Sequence, residues 1–201
     1  MKKLAYIFGS FLILHSCDKK AENQVSNSEH KNIEKISNED DLANIEKNGK
    51  SFYDWYFKNE FPNCDVIKDK DGMSKLDTLS YFTELRKLGT VSEKLIIKER
   101  KRLSGCAAFI STLKYSDYEN SEAYDYDKEC PDMYYMYWLK SQETPDGFVT
   151  KNVKKINDNS ASVDIYETYK QNNSQSPLST VILEKENNTW KIVDIKFIDR
   201  E

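Results

Sequence analysis

FVTKNVKKINDNSASVDIYETYKQNNSQSPLSTVILEKENNTWKIVDIKFI, residues Phe148 to Ile198, alternates apolar with polar side chains almost throughout. A period of two is the mark of a half-buried β-strand, because successive side chains point to opposite faces. Four strands follow from it: Phe148 to Ile156, Ser160 to Tyr169, Leu178 to Glu186 and Thr189 to Ile198. Val163, Ile165 and Tyr166 mark the second, Val181 and Leu183 the third, and Trp190, Ile192, Ile195 and Phe197 the fourth. The connections INDNSA, QNNSQSP and ENNT are short and rich in turn formers, so the strands form an antiparallel meander.

Upstream of Pro145-Asp146-Gly147 the period is helical. In Ser51-Phe-Tyr-Asp-Trp-Tyr-Phe57, the residues Phe52, Trp55 and Tyr56 share one helical face, which suits core packing better than a ligand box. Pro62 ends that element and FPNCDVIKDKDGM reads as a loop. Its Asp69-Lys-Asp71-Gly72 resembles part of a calcium loop, but Ile67 and Thr78 stand where ligands belong, so a turn explains it. Ser74 is expected to cap a helix to about Leu88, with Leu76, Leu79, Phe82 and Leu85 inward and Gly89 as its stop. Ser92 opens a longer helix with Leu95, Ile96, Glu99, Leu103, Cys106, Ala107, Ile110 and Leu113 inward, and Lys98, Arg100, Lys101 and Arg102 facing water. Helices first and strands last imply an α+β fold, N-terminal helices packed on one face of a curved antiparallel four-stranded sheet. The domain is placed at 49–201, and about 150 residues suffice for one core.

Residues 17–48 are polar, charged and free of aromatics, the composition of a flexible tether with a reach of roughly 30 Å. Helix is expected only in its last turns, around Leu42 and Ile45. His30 lies here, exposed and outside any catalytic setting. Before the tether, Lys2 and Lys3 precede the apolar run Leu4 to Leu14, too short to span a membrane and built like a signal peptide. Leu14-His15-Ser16-Cys17 resembles the lipobox of bacterial lipoproteins, with His15 departing from the small residue usual there. The resemblance implies that residues 1–16 are removed and that Cys17 is acylated. The protein is then expected in the bacterial cell envelope, lipid-anchored to the inner or outer membrane, its domain in the periplasm or at the cell surface.

Losing Lys2 and Lys3 takes the formal net charge of −4 two units further negative. That sign excludes the basic footprint of a nucleic-acid binder and a broad hold on anionic lipid. Mild acidity also simply aids solubility. Cys64, Cys106 and Cys130 remain once Cys17 carries lipid, in a compartment that permits disulfides. Three thiols allow three pairings. Cys106 with Cys130 is preferred, because Cys64 is the most separate in sequence and sits in a polar loop. No CxxC occurs and no histidine follows His30, so neither a metal nor another cofactor is expected.

From Tyr115 to Trp138, tyrosines alternate with acids: Tyr124, Asp125, Tyr126 and Asp127, then Tyr134 and Tyr135, stand out. Tyrosine supplies large contact area at low entropic cost, and carboxylates beside it suit a cationic partner. The plainer reading is a long loop pinned to the domain by its tyrosines and kept soluble by its acids.

The elements together resemble the NTF2-like (cystatin-like) fold, on the strength of the early Phe52-Tyr53-Asp54-Trp55-Tyr56 helix and the closing strand Asn188-Thr-Trp190-Lys-Ile192-Val-Asp194-Ile195. Trp138-Leu-Lys-Ser-Gln142-Glu-Thr-Pro145-Asp146-Gly147-Phe148 is similar to a segment of the bacterial family called domain of unknown function 3828, which also begins with such a helix. The resemblance spans about residues 50–198, implies fold and envelope location, and carries no catalytic residues. Three functions are weighed on this basis. The favoured one is a non-catalytic envelope interaction module that engages a cationic protein, for instance a secreted effector it neutralises. The second is a small-molecule or glycan binder using the concave sheet, with Trp138, Trp190 and Tyr166 as stacking faces. The third is an enzyme with a carboxylate–tyrosine pair in an apolar cone, which fails if side chains fill the cone.

Overall fold

The computed structural model describes residues 26–122, 126, 128–131, 136–140 and 143–199, with side chains from residue 39 onward. Residues 1–37 and 38–201 are separate compact units. Of the first, residues 26–37 are helical. Among the described residues no helix is long and apolar enough to cross a membrane. The apolar run ending at Cys17, and Cys17 itself, lie outside them.

The elements run α1 (Ser26–Lys58), β1 (Val66–Lys68), β2 (Ser74–Leu76), α2 (Thr78–Lys87), α3 (Glu93–Ile110), α4 (Tyr115–Glu119), β3 (Gly147–Asn157), β4 (Ser160–Tyr169), β5 (Ser174–Glu186) and β6 (Thr189–Phe197). The fold is α+β. The sheet is a four-stranded antiparallel meander in the order β3-β4-β5-β6. β5 starts at Ser174 rather than Leu178. Pro177 sits opposite Tyr166, beside a register shift in the β4–β5 ladder. A bulge tolerates a residue with no N–H, so proline did not mark a turn here.

α1 packs on the inner face of the sheet, where Ala161, Val163, Ile165, Val181, Leu183 and Ile192 are wholly buried. Phe52, Tyr53 and Tyr56 fill the space above them. Tyr53, not Trp55, completes the buried stripe, and its hydroxyl bonds Ser179 Oγ at 2.8 Å. The close approach occurs at Gly49: a Cβ there would overlap Val163 Cγ1 and lie 3.5 Å from Leu183 Cδ1. Packing starts before the aromatic run. Ile45 is fully buried, and Asp41 receives Lys155 at 3.0 Å, Lys185 at 3.1 Å and the indole N–H of Trp190 at 3.2 Å. The domain therefore takes in residues, from Asp41 on, whose composition alone reads as tether.

Two local expectations are corrected. Ser74 does not cap a helix: it lies in β2, paired with β1 across a turn in which Asp69 Oδ1 accepts the N–H groups of Asp71 and Met73, and Gly72 takes φ 83°. Asp77 is the cap of α2, accepting from the Ser80 N–H. The shift turns Leu79 outward, 75 % exposed, and buries Tyr81 with Phe82 and Leu85. α3 begins as expected, with Ser92 Oγ accepting from the Lys94 N–H.

The two outer strands differ at their free margins. Along β6, the Ile192 N–H donates to Thr90 O at 2.7 Å and the Ser92 N–H donates to Ile192 O at 2.9 Å, a parallel bridge to the segment entering α3. Along β3, the register shifts between Lys151 and Lys154, and Asn152 adopts φ 50°.

Candidate functional site

The tyrosine–acid segment between Tyr115 and Lys140 is fastened along one stripe of α3. Arg102, Cys106 and Phe109 recur at i, i+4 and i+7, so they lie one above another on the helix.

At the first position Arg102 turns inward, contrary to the expectation that it faces water: its side chain is 14 % exposed. The reason is Glu99, one turn earlier and 3 % exposed, since a carboxylate cannot stay ionised out of water without a partner. Arg102 Nε donates to Glu99 Oε2 at 2.8 Å and Nη2 donates to Oε1. The Tyr81 hydroxyl donates to Glu99 Oε1 at 3.2 Å, and Trp138 Nε1–H donates to the Tyr81 oxygen at 3.3 Å. Burial pushes the Tyr81 hydroxyl well above its ordinary value, and the negative Glu99 pushes it further. For Arg102 burial works against the charge, but its bonds to Glu99 outweigh that and raise it. The guanidinium also lies over the Tyr137 ring, 3.9 Å from the centroid. Lys140 Nζ covers Tyr137 at 3.8 Å. Met136 and Lys140, at φ 64° and 50°, bracket the 3-10 turn Tyr137–Leu139 that delivers Trp138 to the core.

At the second position Cys106 and Cys130 form a disulfide, both residues nearly buried. Cys64 is free and buried, its thiol pushed up to about 12 by burial, with Glu99 adding to the effect. It is inert as a nucleophile. At the third position Phe109 meets Tyr126 at 5.6 Å, and Tyr126 stacks on Tyr118 at 6.1 Å. The Tyr126 carbonyl accepts the N–H groups of Glu129 and Cys130.

Of the six residues singled out for partner binding, Tyr126 is thus placed: half-buried and set against α3. Tyr124, Asp125, Asp127, Tyr134 and Tyr135 lie outside the described residues. The three aromatic residues weighed as stacking faces are placed differently. Trp190 is 1 % and Trp138 6 % exposed, and half-buried Tyr166 lies under Lys151 Nζ at 4.2 Å. The concave face is filled by the chain's own side chains, from Phe52 and Tyr53 to Ile165 and Leu183. Among the described residues no three His, Cys, Asp or Glu side chains converge as metal ligands.

Sequence reasoning missed Arg102 and Glu99 as a unit. The signal was present: an acid on the inner face of a helix with an arginine at i+3. No protein-family model, curated protein or solved structure matches the chain.

Proposed function

We propose that the chain is a lipid-anchored interaction module of the bacterial cell envelope, acylated at Cys17 and non-catalytic, whose tyrosine–acid segment engages a cationic protein such as a secreted effector it neutralises. The observation that carries this reading is that three described residues of the segment, Tyr126, Cys130 and Tyr137, are held on α3 by Phe109, Cys106 and Arg102. Residues fixed at these points before binding lose little conformational entropy when a partner arrives. Tyrosine and carboxylate then supply contact area and charge steering. The buried bridge suits an oxidising compartment. A four-stranded meander with a helix across its inner face suits the NTF2-like fold, and filled space on that face favours a surface role over a pocket.

The test is capture. The full chain, tagged at its C-terminus and extracted in mild detergent, is recovered from cells, and co-purifying envelope and secreted proteins are identified by mass spectrometry. One stoichiometric basic protein is expected, lost in Asp125→Lys/Asp127→Lys. Capture that is unchanged in that variant overturns the assignment of the surface. Cys17→Ser is expected to abolish the mass increment of the lipid on the chain; a chain without that increment to begin with overturns the anchor.

A further inference from the structure

Beside α1 a cleft of about 430 Å³ is lined by Lys47, Ser51, Asp54, Trp55, Lys58 and Leu88, none of them from the tyrosine–acid segment. Its floor is the half-buried Trp55, backed by Phe52 at 5.8 Å and Tyr56 at 6.5 Å. A half-buried indole that lines a cleft and is backed by core rings can serve as a stacking platform.

The polar groups around it are arranged unevenly. Asp54 is paired with Lys50 at 3.1 Å, Ser51 Oγ is bonded to Thr90 Oγ1 at 2.6 Å, and Asn59 Nδ2 donates to Trp55 O at 2.7 Å. Lys47 and Lys58 are exposed, and neither has a partner among the described residues. At a rise of 1.5 Å per residue they stand about 12 Å and about 4.5 Å along the helix from Trp55, one toward each end of the cleft. Two uncommitted cations therefore flank the ring.

We propose that this cleft binds an anionic saccharide, with one pyranose ring flat on Trp55 and its carboxylate or phosphate groups meeting Lys47 and Lys58. A shallow site with one flat platform and cations at its ends fits a charged sugar chain. None of the residues lining the cleft belongs to a strand, so an extended peptide has no edge to join there. The site is independent of the segment on α3, so the two readings stand or fall separately.

Trp55 supplies its own readout, because Trp138 and Trp190 are 6 % and 1 % exposed and report little from solvent. The full chain in detergent is titrated with trigalacturonate, a phosphorylated maltotriose, neutral maltotriose and a tetraglutamate peptide while tryptophan emission is followed. The expected result is a saturable shift with one or both anionic sugars, weakened at least about tenfold in Lys47→Glu/Lys58→Glu. Binding of only one of them identifies carboxylate or phosphate as the recognised group. Equal binding of maltotriose removes the role of charge, and equal binding of tetraglutamate makes the site one for acidic peptides. Either result overturns the proposal, as does the absence of any saturable response up to about 10 mM. Trp55→Phe, which keeps a ring against Phe52 and Tyr56, is expected to retain binding in a calorimetric titration, whereas Trp55→Ala is expected to lose it.

Discussion

The contact between α1 and the sheet and the contact between α3 and the segment from Tyr115 to Lys140 are both buried, and they are held in different ways. α1 rests on the sheet through apolar side chains and one glycine, with Asp41 as a polar clasp at its near end. α3 holds the described part of its segment through the Arg102 guanidinium over the Tyr137 ring, a tilted Phe109–Tyr126 ring contact and a covalent bridge. Apolar packing tolerates changes of residue as long as volume is kept, whereas paired charges and disulfides depend on particular atoms. A surface that must keep one shape while its neighbours vary is better served by the second kind.

Breaking the ion pair should have the largest effect. Glu99→Ala leaves Arg102 buried without its counter-charge and should cost about 3–5 kcal/mol in a urea melt. The double change Glu99→Ala/Arg102→Met should recover most of that loss. A double variant as unstable as the single one would mean that stacking on Tyr137, not charge, does the holding. Removing the bridge comes next: Cys106→Ala/Cys130→Ala should cost about 3 kcal/mol and open the segment to protease while α1 stays protected from hydrogen exchange. Loss of protection in α1 as well would erase the distinction between the two contacts.

On the other side of the comparison, Gly49→Ala should cost about 1–2 kcal/mol. Overpacking against Val163 outweighs the helix propensity gained, and the segment on α3 should keep its protease resistance. A neutral result would show that α1 can lift from the sheet. The smallest effect concerns acid. Burial pushes the Asp41 carboxyl up, but the bonds from Lys155, Trp190 and Lys185 outweigh it and hold it below its ordinary 3.8. A lowered native value means that the unfolded chain binds the proton first, so the Asp41 contribution is full above about pH 5 and fades as pH falls below about 4. The stability difference between the wild type and Asp41→Asn should therefore be constant near neutrality and shrink in that window. A difference unchanged down to about pH 3 would place the clasp elsewhere.

These two regions also divide what the sequence could tell. The sheet was legible because its period of two is carried by many residues, and a single exception such as Pro177 moved only one boundary. α3 was legible for the same reason, down to its cap at Ser92 and buried Glu99. The helix before it was placed too early. Ser74 and Asp77 are both good caps, and only the pairing of β1 with β2 decides between them. The mounting was not legible, because a charged side chain reads as solvated unless its neighbour's burial is known, and Arg102 follows Arg100 and Lys101, which do face water. Cys64 illustrates the same limit: nothing in FPNCDVIKDKDGM announces a buried thiol.

The margins of the sheet bear on how many copies of the chain can share a small area. An open strand edge invites the same strand of a neighbour, and the invitation grows with local concentration. Here the β6 margin is bridged at Ile192 by residues 90–92, and the β3 margin carries the exposed Lys151 and Lys154 beside Asn152 at φ 50°. Two copies meeting at β3 would bring Lys151 and Lys154 of one against those of the other, and like charges oppose such pairing. Crowding on a surface should therefore leave the molecules separate, without seeding fibrils.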